Sequence, residues 1–492
     1  MMFNSTVFAS FFAVFFLLYV MLRHRLHAQN LLLLAASYVF YGWWDYRFLS
    51  LILVSTLVDY ACGRLVERAS NRSARLWVTI SVLVNLGILA CFKYCDFFLE
   101  STAAVLSSLG ISTEPRLLNI VLPVGISFYT FQTMSYTIDV FRGKLPAHRS
   151  LLEFAVFVAF FPQLVAGPIC RASQLLPQIA RRRSIDAEQA STGCYWFLWG
   201  LFKKVVIADQ LAMLADPVFT NPEYYHGGAI LVAVYAFTFQ IYCDFSGYTD
   251  MARGVAATLG FDLPPNFNLP YLARNPSEFW QRWHMTLSTW LRDYLYVPLG
   301  GNRKGLTRTC INLMLTMMLG GLWHGAAWTF VIWGAFHGLL LIAYRLCTRT
   351  SQTAEAGRSE AEGSAAGQNT RTKRPLSSFL SVFGFFHLTC VGWLIFRAPS
   401  FDALSKMLAG LATGWPWWML TGANSLQGTG FFVLAAAVTP LLIMAWIQYR
   451  GRTCNAVLQQ APFWRGAAYA CMFLGIVMFG DVDDKPFIYF QF

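Results

Sequence analysis

Residues 309–344 read TCINLMLTMMLGGLWHGAAWTFVIWGAFHGLLLIAY. Two apolar runs, 309–323 and 327–347, flank a single ionisable side chain, His324. About 20 apolar residues cross a bilayer as helix. A backbone in lipid must satisfy its own hydrogen bonds, so runs of this kind are read as helices rather than strands. An ionisable group at that depth is costly, and where it is kept it faces a cavity or a functional path. Gly320, Gly321 and Gly325 around it permit close approach of backbone or ligand.

The rest of the chain has the same character. Its 492 residues are 56% hydrophobic and only 13% charged, against about 25% charged in ordinary soluble domains. Apolar runs recur from end to end, and about eleven to thirteen are expected to be membrane-embedded. The class is an all-α polytopic membrane protein, with Gly- or Pro-interrupted segments expected to be re-entrant. The first run, 5–22, has no positive residue before it and no small-residue cleavage site after it, so it is read as an uncleaved helix. Eleven cysteines contain no CxxC pair, which supports neither a disulfide framework nor a structural zinc site. No metal site is expected.

The net charge of +12 is not a nucleic-acid footprint. Basic clusters such as RHRLH (23–27), ARRRS (180–184), NRKGLTR (302–308) and RTKR (371–374) fall between apolar runs. The positive-inside rule turns them to the cytoplasm. Alternation then places the N-terminus outside, and likewise the C-terminal tail 481–492, DVDDKPFIYFQF. The chain reads as one membrane domain over 1–492. Residues 350–375 are polar and rich in Gly, Ala and Ser, and are expected to form a flexible cytoplasmic loop.

Residues 262–305 are rich in Pro, Trp and charge and cannot cross lipid. From Ser277 and Glu278 a capped amphipathic helix is expected, with Trp280, Trp283, Leu287 and Leu291 on one face and Arg282 and Arg292 off it. His284 lies on this stretch and pairs with His324 only if the fold brings the two together. His337, on a continuous helix, would be turned about 220° and raised about 20 Å from His324, so a structural role is expected. Gln132, Asp244 and Ser246 are further polar groups at depth. Asp244 is expected either to orient a histidine or to pair with an arginine. GGNRKG (300–305) is a candidate for a donor's phosphates or a loop that only sets topology, and no Walker motif is present.

The blocks GLWHGAAWTFVIWGAFHG (321–338), NPSEFWQRWHMTLSTWLRDYLYVPLGG (275–301), IYCDFSGYTDMARG (241–254) and FPQLVAGPI (161–169) resemble the membrane-bound O-acyltransferase superfamily. The likeness is to its bacterial polysaccharide branch and covers nearly the whole chain. It implies a ring of tilted helices around a central funnel and pore. His324 would lie at the constriction, and His284 would be the second family histidine. It also implies an acyl donor, acetyl-CoA, on the cytoplasmic side of a bacterial inner membrane. The final acceptor would be an extracytoplasmic polysaccharide such as alginate or cellulose, reached with a periplasmic SGNH-type acetyltransferase partner. Export of D-alanyl or another acyl group, and transport without covalent chemistry, are the alternatives.

The chemistry asked of the residues is modest. A thioester is already activated, so an alcohol and a base for its proton suffice. An imidazole, with an ordinary pKa of about 6.5, suits that proton at neutral pH. The hexapeptide FIYFQF (487–492) resembles aromatic tyrosine motifs of the branch. Tyr489 is the candidate relay that takes the acyl group at the outer mouth. Its other reading is an aromatic anchor at the interface.

Overall fold

The computed structural model describes residues 1–361, 375–413, 426–453, 455–480 and 487–488. Among them the regular elements are all helical. Seven helical stretches are long and apolar enough to cross a membrane: 26–68, 71–108, 228–258, 328–348, 377–397, 430–451 and 462–479. The chain is a multi-pass membrane protein. The remaining apolar segments are shorter, as in Thr6–Met21 and Ile126–Phe141 at 16 residues each. The 43-residue stretch Leu26–Arg68 is about 65 Å of helix at 1.5 Å per residue. It breaks at Asp45, whose extended backbone lets its carboxylate accept from Arg47 N.

The low-complexity stretch is helical where it is described. The helix from Trp328 continues to Ala361, through the Ala- and Glu-containing TAEAGRSEA (353–361), where Ala and Glu favour helix. Residues 362–374 lie outside the described residues. All ten described cysteines are free.

The chain groups into two compact units. The first holds Met1–Gln210, Gln240–Pro265 and Trp446–Phe492, and the second holds Leu211–Phe239 and Asn266–Ala445. The 31-residue helix Gly228–Thr258 passes from the second into the first. Its most apolar window is 72% buried, against 6% for Pro462–Phe479. The former is therefore a core helix, and the latter offers its side chains outward.

In the first unit, buried polar groups tie helices together where apolar attraction between helices is weak. The Asp59 carboxylate accepts from Ser81 Oγ, from Asn85 Nδ2 at 2.7 Å and from Thr137 Oγ1 at 2.8 Å. One side chain thus binds the helices Leu49–Arg68, Asn71–Leu89 and Ile126–Phe141. Gln132 likewise donates to Phe157 O at 2.6 Å, a structural use.

Glycines at seven-residue spacing set a second contact in this unit. Gly193 and Gly200 lie on the helix Ala187–Phe202, and Gly247 and Gly254 on Gly228–Thr258. A Cβ on Gly200 would stand 2.5 Å from Gly247 O, and one on Gly247 2.7 Å from Gly200 O. Gly193 and Gly254 repeat the arrangement, at 2.7 and 2.5 Å. Only residues without Cβ allow backbones this close. The crossing places Lys204 beside Asp244.

In the second unit, the helix Gly305–His324 and the helix starting at Trp328 form a tight antiparallel hairpin. A Cβ on Gly321 would meet Phe330 O at 2.1 Å, and one on Gly334 would meet Met317 O at 2.2 Å. The close approach expected at Gly321 is therefore taken by the hairpin's own backbone.

Candidate active site

His324 ends its helix because Gly325 is extended, at φ −158° and ψ 151°. The chain doubles back before Trp328, and this puts the imidazole inside the second unit, 6% exposed. Aromatic rings wall it in. Trp323 and Trp333 lie with centroids 5.1 Å away and Phe396 at 5.5 Å, each nearly perpendicular to the imidazole.

The segment carrying His284 differs from the expected single helix. Asn275 caps Pro276–Trp280 by accepting from Glu278 N at 2.9 Å, two residues earlier than Ser277. The helix then stops, and a second one runs over Met285–Leu291. Between them His284 takes a left-handed backbone conformation, φ 40° and ψ 55°. Such a conformation costs a non-glycine residue about 1–3 kcal/mol and persists where surroundings over-determine it. Asn266 supplies that constraint. Its backbone oxygen accepts from Met285 N at 2.9 Å, and its Oδ1 accepts from Thr286 Oγ1 at 2.6 Å. The apolar period runs on through this break, so the sequence pattern does not mark it.

The break aims His284 at His324. Their ring centroids are 6.4 Å apart, and His284 lies 5.9 Å from Trp323. His284 is fully buried, and desolvation pushes its imidazole down to about 3. It is neutral at physiological pH and sets no positive charge against His324.

His337 comes nearer to this site than a continuous helix would allow, because the hairpin breaks the helix at Gly325. It stacks on Phe279 at 5.8 Å and packs on Trp333 at 4.8 Å. Trp333 thus touches both His324 and His337, and packing among aromatic rings accounts for His337.

A polar cavity of about 430 Å³ opens elsewhere on this unit, lined among others by Asn268, Arg274, Asn275, Gln281, Arg282 and Tyr344. Glu278 braces the two guanidiniums, accepting from Arg274 Nε at 3.0 Å and Arg282 Nη2 at 2.8 Å. Burial works against the Glu278 carboxylate, but these two arginines prevail and hold it below its ordinary value. The 300–305 loop is tied to residues on either side of it. Gly301 O accepts from Asn312 Nδ2 at 3.1 Å, and Tyr296 donates to Asn302 Oδ1.

In the first unit, among the described residues, Asp244 pairs with neither a histidine nor an arginine. Lys204 Nζ donates to Asp244 Oδ1 at 2.7 Å and to Asp209 Oδ1 at 2.8 Å. Ser246 accepts from Lys203 Nζ at 2.9 Å. The sequence signal for these lysines is two adjacent cations in an apolar run. Tyr489 lies outside the described residues, but its neighbours Phe487 and Ile488 are described, and both are buried.

The family model described as MBOAT, membrane-bound O-acyltransferase family, matches residues 33–370. The chain is 44% identical to the probable alginate O-acetylase AlgI of Azotobacter vinelandii, over 91% of this chain and 85% of that protein. It is 44% identical to the probable alginate O-acetylase AlgI of Pseudomonas putida, over the full length of both. The peptidoglycan O-acetyltransferase of Helicobacter pylori is 34% identical, over 84% of this chain and 80% of that protein. The chain belongs to the membrane-bound O-acyltransferase family and is a multi-pass membrane acyltransferase.

Proposed function

We propose that this enzyme passes an acetyl group from cytoplasmic acetyl-CoA across the bacterial inner membrane for O-acetylation of an extracytoplasmic polysaccharide, alginate or a similar polymer. The observation that carries the reading is the aromatic-walled His284–His324 pair. A buried imidazole with no bulk water around it is suited to taking a hydroxyl proton during acyl transfer.

The acceptor in the first step is the Tyr489 phenol. Its oxygen bonds to the thioester carbonyl carbon, the C–S bond breaks, and the phenolic proton passes through His324 to the departing thiolate of CoA. His284 stays neutral and orients His324 or the thioester. The aryl ester then yields its acetyl group to a serine of a periplasmic SGNH-type partner, and the tyrosine regains a proton. Both steps exchange one ester-type bond for another and need no oxidant. Both chain termini lie on the periplasmic side, as the basic loops imply.

The donor's diphosphate suits the cavity at Arg274 and Arg282, since guanidiniums bind phosphate by paired charge-assisted hydrogen bonds. That fit favours a CoA thioester over the acyl-carrier protein that a D-alanyl exporter would use. The test is acetyl-CoA consumption by the purified protein and its His324→Ala variant. Thioester cleavage that requires His324 supports the enzyme. No cleavage by either protein would leave the transporter reading in its place.

A further inference from the structure

Chain ends normally fray unless something ties them down. Here Phe487 and Ile488 are held in the interior of the first unit. Phe487 is fully buried and Ile488 is 4% exposed. Ile488 N donates to Asp244 Oδ2 at 2.9 Å. The other oxygen of the same carboxylate, Oδ1, accepts from Lys204 at 2.7 Å. Lys204 Nζ stands 4.8 Å from the Phe487 ring centroid, within range of a cation–π attraction. Tyr248, one helical turn beyond Asp244, meets the Phe487 ring perpendicularly with centroids 4.6 Å apart. A buried backbone N–H needs an acceptor, and a carboxylate is the strongest one a side chain offers.

We propose that Lys204, Asp244 and Tyr248 form a socket for the chain's own C-terminus, which grips Phe487 and Ile488 and so positions the tyrosine that follows for acyl transfer. Each member has a distinct task. Tyr248 and Lys204 hold the phenyl ring. Lys204, shared with Asp209, holds Asp244 in orientation. Asp244 fixes the backbone amide of Ile488. A tail held only by apolar contacts could slide by a residue, whereas one hydrogen-bonded at Ile488 cannot. These three are positioning residues. The acyl-transfer part of the proposal rests on Tyr489 as relay, whereas the socket itself does not.

The test uses full-length protein in detergent with two readouts, release of C-terminal residues by a carboxypeptidase that cleaves at proline, and transfer of labelled acetyl from acetyl-CoA to polymer in reconstituted membranes. Asp244→Ala removes the acceptor. Ile488→Pro removes the donor from the chain end without touching the helices, so it stays informative if Asp244→Ala does not fold. In the unmodified protein, trimming is expected to stop before Ile488. In both variants it should run past that residue, with acetyl transfer down at least tenfold and the thermal midpoint of Ile488→Pro unchanged. Tyr489→Phe should lose transfer while keeping its protection.

Unaltered protection in Ile488→Pro would overturn the socket. Lost protection with normal transfer would overturn its positioning role. Normal transfer by Tyr489→Phe would overturn the relay alone, leaving the socket to be judged on protection.

Discussion

His284 and His324, forty positions apart in the chain, sit with ring centroids 6.4 Å apart. Two local breaks in helix create the pair, the left-handed turn at His284 and the extended Gly325 after His324. The two histidines carry different expectations. Removing the base from a proton-transfer step typically costs a factor of about 10² to 10⁴. His324→Ala should lower acetyl-CoA-dependent transfer by that range with little change in the KM for acetyl-CoA. Steady-state kinetics on reconstituted protein checks it, and a loss confined to KM would assign His324 to donor binding instead.

Burial of His284 makes stability depend on pH. Its folded value of about 3 lies below the ordinary value of about 6.5, so the unfolded state binds the proton more readily. Its contribution to stability is full above about pH 6.5 and is lost as pH falls toward 3, by up to about 1.4 kcal/mol per pH unit. Thermal midpoints of the detergent-purified protein should drop between pH 6.5 and 4.5. His284→Gln should flatten that slope, and an equal slope in both proteins would place the sensitivity elsewhere.

Much of this site was legible in the sequence, and the rest was not for identifiable reasons. Apolar runs and the glycines around His324 marked an embedded histidine, because membrane burial imposes strong composition. The break at His284 left no mark, since its cause is Asn266, a residue outside the helical period. The His284–His324 contact and the Lys204–Asp244 ion pair are tertiary, each joining positions forty residues apart. The helix contact beside that ion pair did leave a trace in the seven-residue spacing of Gly193 with Gly200 and of Gly247 with Gly254.

That spacing predicts a sharp contrast between glycines. Gly247→Ala would press a methyl to 2.7 Å from Gly200 O, forcing the helices apart at a cost of about 1–3 kcal/mol. A Cβ on Gly466 meets nothing within 4 Å, so Gly466→Ala should keep its thermal midpoint. Paired melting curves decide it, and equal behaviour of the two variants would remove the backbone contact as the cause.

Donor recognition is tested at the polar cavity. Arg282→Ala or Arg274→Ala should raise the KM for acetyl-CoA about tenfold, the equivalent of about 1.4 kcal/mol, with kcat nearly unchanged. The same variants should lose little affinity for a short acetyl thioester that lacks the nucleotide. Equal weakening toward both donors would show that the arginines act on fold rather than on phosphate.

The most direct measurement is mass spectrometry of the C-terminal peptide after the protein is given acetyl-CoA without acceptor. The peptide from the unmodified chain should carry one acetyl group on Tyr489, and the peptides from His324→Ala and Tyr489→Phe should carry none. A polymer-acetylating preparation whose Tyr489 is never acetylated, or a Tyr489→Phe variant that acetylates polymer at the normal rate, would contradict the relay.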